Sequence, residues 1–243
     1  MPLKKSEFAL VGTAAALVFS RVFGLSLVLP NFRDHFDSEF AASATLIGLA
    51  FGAYGLTMAL MQLPNGILSD KFGRKPLLLL GSAFFIGGSV LAAFADDIWV
   101  LVAARLLQGM GAISSVAMAA VGETVPAERR ATAMALIGIP AGAGFLLGMG
   151  VGPALYPLIS MQGLFFVTAA IGFLAVLPVL RQDFGTPLPA EAGSRSLSFP
   201  VLALGLAGFT SSYFLTTTLF FLPTTRWQVL LPMMLVTFVA IGG

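Results

Sequence analysis

The sequence predicts an all-α fold, a polytopic transmembrane helical bundle, and three observations carry that expectation. Hydrophobic residues make up 58% of the 243 residues and charged residues only 10%, far below the roughly 25% charged content of an average soluble domain. The apolar residues gather in runs of about 18 to 25, each long enough at about 1.5 Å per residue to cross a hydrocarbon core of about 30 Å as a helix. Nearly all charged residues fall in the connections between those runs.

Taken in order, the spanning runs are 8–29, 44–68, 76–95, 98–121, 131–155, 163–180 and 200–222, and a shorter run at 229–243 reads as a partial eighth helix. The first lacks a small-residue cleavage site at its end and reads as a retained helix. It stops before Pro30, and 30–43 reads as a longer connection. Between the second and third runs, Gly73 permits a left-handed turn and Pro76 suits the opening of the next helix. The fourth run carries Arg105, Gln108, Gly109 and Gly111. The fifth is rich in glycine, with Gly144, Gly148 and Gly152 at four-residue spacing and Pro153 interrupting the hydrogen-bond ladder. After the sixth, 181–199 mixes Gly185, Pro187, Pro189 and Gly193 with Arg181, Asp183, Glu191 and Arg195, the polar, helix-breaking composition of a linker. The expected organisation is thus a six-helix bundle at 1–180, a linker at 181–199, and the start of a second bundle at 200–243.

Charge sets the orientation. With the N-terminus inside, the cytoplasmic side collects Lys4, Lys5, Lys71, Arg74, Lys75, Arg129, Arg130, Arg181 and Arg195, whereas the outside collects Arg33 and Arg226. That bias predicts a multi-pass protein with a cytoplasmic N-terminus. The formal net charge of +2 is too small to suggest nucleic acid as a partner. With no cysteine the chain lacks disulfides and thiolate chemistry, and its one histidine cannot build a metal site alone, so no metal is expected. The predicted helices hold no Asp or Glu, so the cluster an enzyme needs is missing as well.

The most specific motif runs Gly66, Leu68, Ser69, Asp70, Lys71, Phe72, Gly73, Arg74, Lys75, Pro76. It resembles the G-x-L-x-D-x-x-G-R-K signature of the major facilitator superfamily, at the loop where that family carries it. Glu123, followed by Pro126, Glu128, Arg129 and Arg130, is similar to the family's acidic residue and basic cluster after its fourth helix. One arginine, Arg74, between two carboxylates, Asp70 and Glu123, makes a charge-assisted latch that breaks during conformational switching. A static, solvated pair would be worth at most about 1 kcal/mol.

Arg105, Gln108, Gly109 and Gly111 resemble the family's R-x-x-Q-G-x-G segment, which implies a role in proton coupling. Arg21 and Arg105 each lie about 7 or 8 residues from the predicted outer end of a helix, at similar depth. A charge there costs about 2.5 to 3.5 kcal/mol, so it faces a cavity or a partner unless it snorkels. Three counter-ions stay open: an anionic group on a substrate, a carboxylate from a second half, or an outer acid among Asp34, Asp37 and Glu39. Gly144, Gly148, Gly152 and Pro153 look like the glycine-rich element of proton-coupled drug exporters, although Tyr156 and Pro157 replace the usual glycine pair. Gly24 with Leu29 and Pro30 is similar to a second element of that subclass. His35 reads as a solvated loop residue, and Phe19, Phe23, Phe51, Tyr54 and Phe145 read chiefly as packing or lipid-facing aromatics.

The resemblance implies two six-helix bundles of inverted three-helix repeats, with small amphipathic molecules or drugs exported against protons by alternating access across a plasma (inner) membrane. It implies no cofactor beyond the proton gradient. The partners are the lipid bilayer, a small-molecule substrate and protons, with a second half or a homodimer to complete the pathway. A truncated, non-transporting interaction protein and an importer of a small anionic solute are the competing readings.

Overall fold

The computed structural model describes residues 3–182 and 184. The seventh and eighth runs, with Arg226, Arg195 and most of the linker, lie outside the described residues. The chain divides into two units, residues 1–188 and 189–243, and the described residues all belong to the first.

Every regular element described is helical: α1 (Lys5–Phe40), α2 (Ala44–Phe72), α3 (Arg74–Ala93), α4 (Ile98–Met110), α5 (Ser114–Thr124) and α6 (Ala127–Arg181). Among the described residues five helical stretches are long and apolar enough to cross a membrane, with α4 and α5 forming one of them. The last, α6, has 55 residues, which at about 1.5 Å per residue exceeds one bilayer crossing more than twofold. Ser160 breaks it, with φ 59° and ψ −177°, so two antiparallel crossings follow one another almost without a loop.

That conformation belongs to glycine and strains any residue with a Cβ by about 1–3 kcal/mol. Ser160→Gly is expected to stabilise the bundle by about 1 kcal/mol, net of glycine's larger unfolded-state entropy, read as a raised unfolding temperature in detergent. A lowered temperature would show that the serine hydroxyl matters more than the strain.

Three boundaries differ from the sequence expectation. First, α1 does not stop at Leu29 but continues through Pro30 to Phe40. Phe32, Phe36 and Phe40 recur every four residues; Phe32 meets Phe36 edge to face at 4.9 Å and Phe36 stacks on Phe40 at 5.2 Å, so an aromatic stripe holds the extension. Asp34, His35, Asp37 and Glu39 therefore lie on helix and not in a loop. Second, the fourth crossing breaks between Met110 and Ser114. Asn65 of α2 donates to the buried Ala112 carbonyl at 2.7 Å and to that of Met110 at 3.4 Å, satisfying backbone groups that lipid cannot. Third, Phe184, within the predicted polar linker, is buried in the hydrophobic core.

That core sits at the end of the bundle carrying Lys4, Lys5, Arg74, Arg129 and Arg181, here called the basic end. Leu10 and Val11 of α1, Leu78 of α3, Val121 of α5, and Ile137 and Val179 of α6 belong to it. The most extensive helix contact joins α1 to α6. Along it Ser26 donates to the Gly144 carbonyl at 3.3 Å, and Thr168 approaches the Gly24 carbonyl at 3.5 Å.

Candidate functional site

The α2–α3 connection is shortened to one residue, Gly73, at φ 95° and ψ 157°. The sequence predicts a left-handed turn there; the observed φ is positive but ψ is extended, a corner still more exclusive to glycine. The Gly73 amide caps α2 by donating to the Ser69 carbonyl at 3.0 Å, and α3 starts at once with Arg74.

This tight reversal folds the Arg74 side chain inward, where it is 4% exposed. Its guanidinium pairs with Asp70 Oδ1 at 2.7 Å and donates through both Nε and Nη2 to Glu123, with the Nε contact at 3.2 Å. Nη1 donates to Ser69 Oγ. The cluster ties α2, α3 and α5 together through one planar fork, the geometry in which arginine outperforms lysine. Gly66 contributes its carbonyl, which accepts from Ser69 Oγ at 2.8 Å, and open space lies where its Cβ would be. Lys75 stands outside the cluster: its ammonium donates to the Leu180 carbonyl at 2.7 Å, near the end of α6. A further ion pair, Arg129 with Glu7 at 3.1 Å, fastens the start of α6 to the start of α1, while Glu7 also accepts from the Lys4 amide at 2.9 Å.

Both intramembrane arginines are buried, Arg21 at 6% and Arg105 at 1% exposure, so neither snorkels. Arg21 donates to the Gly81 carbonyl at 3.1 Å and lies 4.7 Å over the Phe85 ring. Arg105 is boxed by Tyr54 at 4.7 Å and by Phe32 and Phe51 at 5.6 Å each. Ring faces attract a desolvated cation electrostatically, which answers part of the missing counter-ion without a carboxylate. Arg105 Nη1 donates to Gln108 at 2.7 Å, Gln108 donates to Ser89 at 2.7 Å, and Ser89 donates to the Phe85 carbonyl at 2.7 Å. The Arg105 Nε and Nη2 have no protein acceptor among the described residues.

The two arginines do not share a depth. Arg105 reaches the level of Phe32, which is eleven residues beyond Arg21 on α1, about 16 Å at 1.5 Å per residue. The sequence places Arg21 near a helix end because Pro30 reads as a stop, and α1 has no end there. Removing the acceptor that orients Arg105 should be costly: Gln108→Ala is expected to destabilise the bundle by about 1–3 kcal/mol. Thermal unfolding in detergent checks this, and an unchanged midpoint would mean that the aromatic box alone holds the guanidinium.

The glycine face of α6 meets α1. A Cβ on Gly144 would lie 2.9 Å from the Phe19 ring, one on Gly148 would overlap Ser26 and fall 2.8 Å from the Phe23 carbonyl oxygen, and one on Gly152 would overlap the Leu27 carbonyl. Pro153 follows on the same helix. At the end opposite the basic one, His35 is half-buried and its Nδ1 lies 3.0 Å from the Tyr156 hydroxyl. It is not the solvated loop residue the sequence suggests, and its partner is one of the two residues that depart from the drug-exporter glycine pattern.

The sequence names Ser69 and Arg129 within its motifs but not their partners, and Ser89, Phe32 and Glu7 escape sequence reading. Gly81 with Ser82 and Gly88 with Ser89, seven residues apart on α3, form the small-residue pattern that a search for helix contacts would have found.

Comparison with known proteins gives the fold and motifs a setting. The profile of the Major Facilitator Superfamily matches residues 14–243. The chain is 39% identical over 186 residues to the inner membrane transport protein YajR of Escherichia coli (strain K12), covering 75% of this chain and 41% of that protein. It is 30% identical over 203 residues to the tetracycline resistance protein, class B, of Escherichia coli, covering 76% of this chain and 49% of that one. The chain thus spans less than half the length of these relatives. A solved structure of the peptide transporter POT with alafosfalin superposes with a TM-score of 0.63 at 17% identity, covering 86% of this chain and 46% of that one, a likeness of fold. With the family profile matched over most of its length, the chain belongs to the Major Facilitator Superfamily of membrane transporters.

Proposed function

We propose that this chain is the N-terminal half, with one to two further helices, of a secondary transporter that exports small amphipathic molecules in exchange for protons by alternating access. The observation that carries the reading is the Arg74 cluster. One buried fork holds carboxylates from two other helices, so a modest displacement of α2 or α5 exchanges several charge-assisted bonds at once, as a two-state device requires. The similarity to a tetracycline resistance protein supports export, and the buried, cradled Arg105 supports coupling to charge movement. The proton gradient serves as the energy source with no resident cofactor. The setting is a plasma (inner) membrane with the basic end cytoplasmic, and a second half or a second copy completes the pathway.

A second reading, import of a small anionic solute, draws on the two Arg105 nitrogens that have no protein acceptor. Uptake of a fluorescent cationic dye into inverted vesicles with an acidified lumen separates the two. Export predicts accumulation that disappears when a protonophore collapses the gradient. Accumulation indifferent to the protonophore, or transport of an anionic dye in its place, would sink the proton-coupled export reading.

A further inference from the structure

At the basic end, α1 and the last turns of α6 leave between them a groove of about 730 Å³, outside both the Arg74 cluster and the arginine cradles. The α1 wall is Ala9, Gly12 and Thr13, and the α6 wall includes Leu174, Leu177, Pro178 and Arg181. Thr13 turns its hydroxyl back to the Ala9 carbonyl at 2.9 Å, so that wall presents an apolar face. Nothing lies within 4 Å of a Cβ built on Gly12, which makes this glycine the open floor.

The charges are arranged at one end. Lys5 precedes Ala9 by four residues and Gly12 by seven, and so stands on the same α1 face one turn closer to the basic end. Arg181 follows Leu174 by seven residues and Leu177 by four, and so caps the α6 wall in the same way. Both are exposed and neither forms an ion pair among the described residues. The neighbouring carboxylate, Glu7, is engaged by Arg129. Two helices that cross a membrane thus offer an apolar trough with two cations that form no ion pair among the described residues, where the hydrocarbon meets the headgroups. Basic pockets between spanning helices at that depth select anionic headgroups.

We infer that this groove binds one acidic phospholipid of the adjoining leaflet, an acyl chain lying over Gly12 between the α1 and α6 walls and the headgroup phosphate between Lys5 and Arg181. The inference requires that α1 and α6 span the bilayer and is independent of substrate and direction of transport.

Native mass spectrometry of the full chain in detergent, titrated with an equimolar mixture of phosphatidylglycerol and phosphatidylcholine, tests it. One retained lipid with a preference for phosphatidylglycerol on the order of tenfold is expected from two cations near an anionic headgroup. Lys5→Gln with Arg181→Gln should abolish the preference. Gly12→Phe, whose Cβ meets nothing within 4 Å, should fill the groove and abolish retention of that lipid. Circular dichroism confirms the fold of each variant, and should Gly12→Phe misfold the charge variant decides alone. A preference unchanged in the charge variant, a lipid still retained by folded Gly12→Phe, or displacement by inorganic phosphate would each overturn the inference. So would the absence of any retained lipid.

Discussion

Arg74→Ala is expected to lower the transport rate at least tenfold while leaving most of the bundle folded. The substitution removes the bidentate partner of Glu123, one partner of Asp70 and the donor to Ser69 in a single step. Truncating one member of such a cluster strands carboxylates beside the hydrocarbon, which favours whichever conformation hydrates them. One conformation then dominates and cycling slows. Arg74→Lys keeps the charge but loses the fork, so it should fall between the two. Asp70→Ala should reduce the rate less than Arg74→Ala, because Glu123 keeps both of its contacts. Rates measured in inverted vesicles at matched protein density decide the matter. If Arg74→Ala and Asp70→Ala both transport at the parent rate, the cluster is a static fastening.

Alanine at Gly148 or Gly152 is expected to cost about 2–3 kcal/mol each, the upper part of the range for overpacking. The reason is what the added methyl meets. At both sites the obstacle includes α1 backbone, at Phe23 and Leu27, which cannot rotate out of the way. At Gly144 the obstacle is mainly the Phe19 ring, which is free to turn, so Gly144→Ala should cost less. Gly138, on the same helix, has nothing within 4 Å of its missing Cβ and is exposed. There alanine should be neutral or stabilise by up to about 1 kcal/mol through helix propensity. Unfolding midpoints for the four variants should therefore fall in the order 138, 144, then 148 and 152. A loss at 138 equal to that at 148 would mean that glycine flexibility, and not close approach, explains the motif.

The spanning architecture and the Arg74 cluster were legible because each follows from a local rule. Run length reports the bilayer thickness, and Asp70, Arg74 and Glu123 fall on the same side of the membrane in the predicted topology, although the one-residue reversal at Gly73 is tighter than the connection between runs 44–68 and 76–95. The course of α1 was not legible. Pro30 and the acids after it are the usual marks of a helix end, yet in a bundle the aromatic packing of Phe32 and Phe36 overrides them. That error carried into the supposed equal depth of Arg21 and Arg105. The cradle of Arg105 was hidden for another reason: Phe32, Phe51 and Tyr54 come from two helices, and their convergence depends on tertiary contacts that no spacing in one segment reveals. Glycine spacing on the fifth run told which face packs closely but not against what.

The seam between α1 and α6 has a consequence for how the protein is made. Ser26 meets a carbonyl 118 residues later in the chain, and Thr168 reaches back 144 residues to Gly24. At a synthesis rate of roughly 5–20 residues per second, the first helix waits on the order of ten seconds in the bilayer before its main neighbour exists. Throughout that interval its shallow groove at Phe23, Ser26 and Leu27, shaped to receive glycines, is covered by lipid or by the insertion machinery. The α1–α6 seam therefore closes late, when the newer crossing displaces those temporary occupants and locks the older one in place.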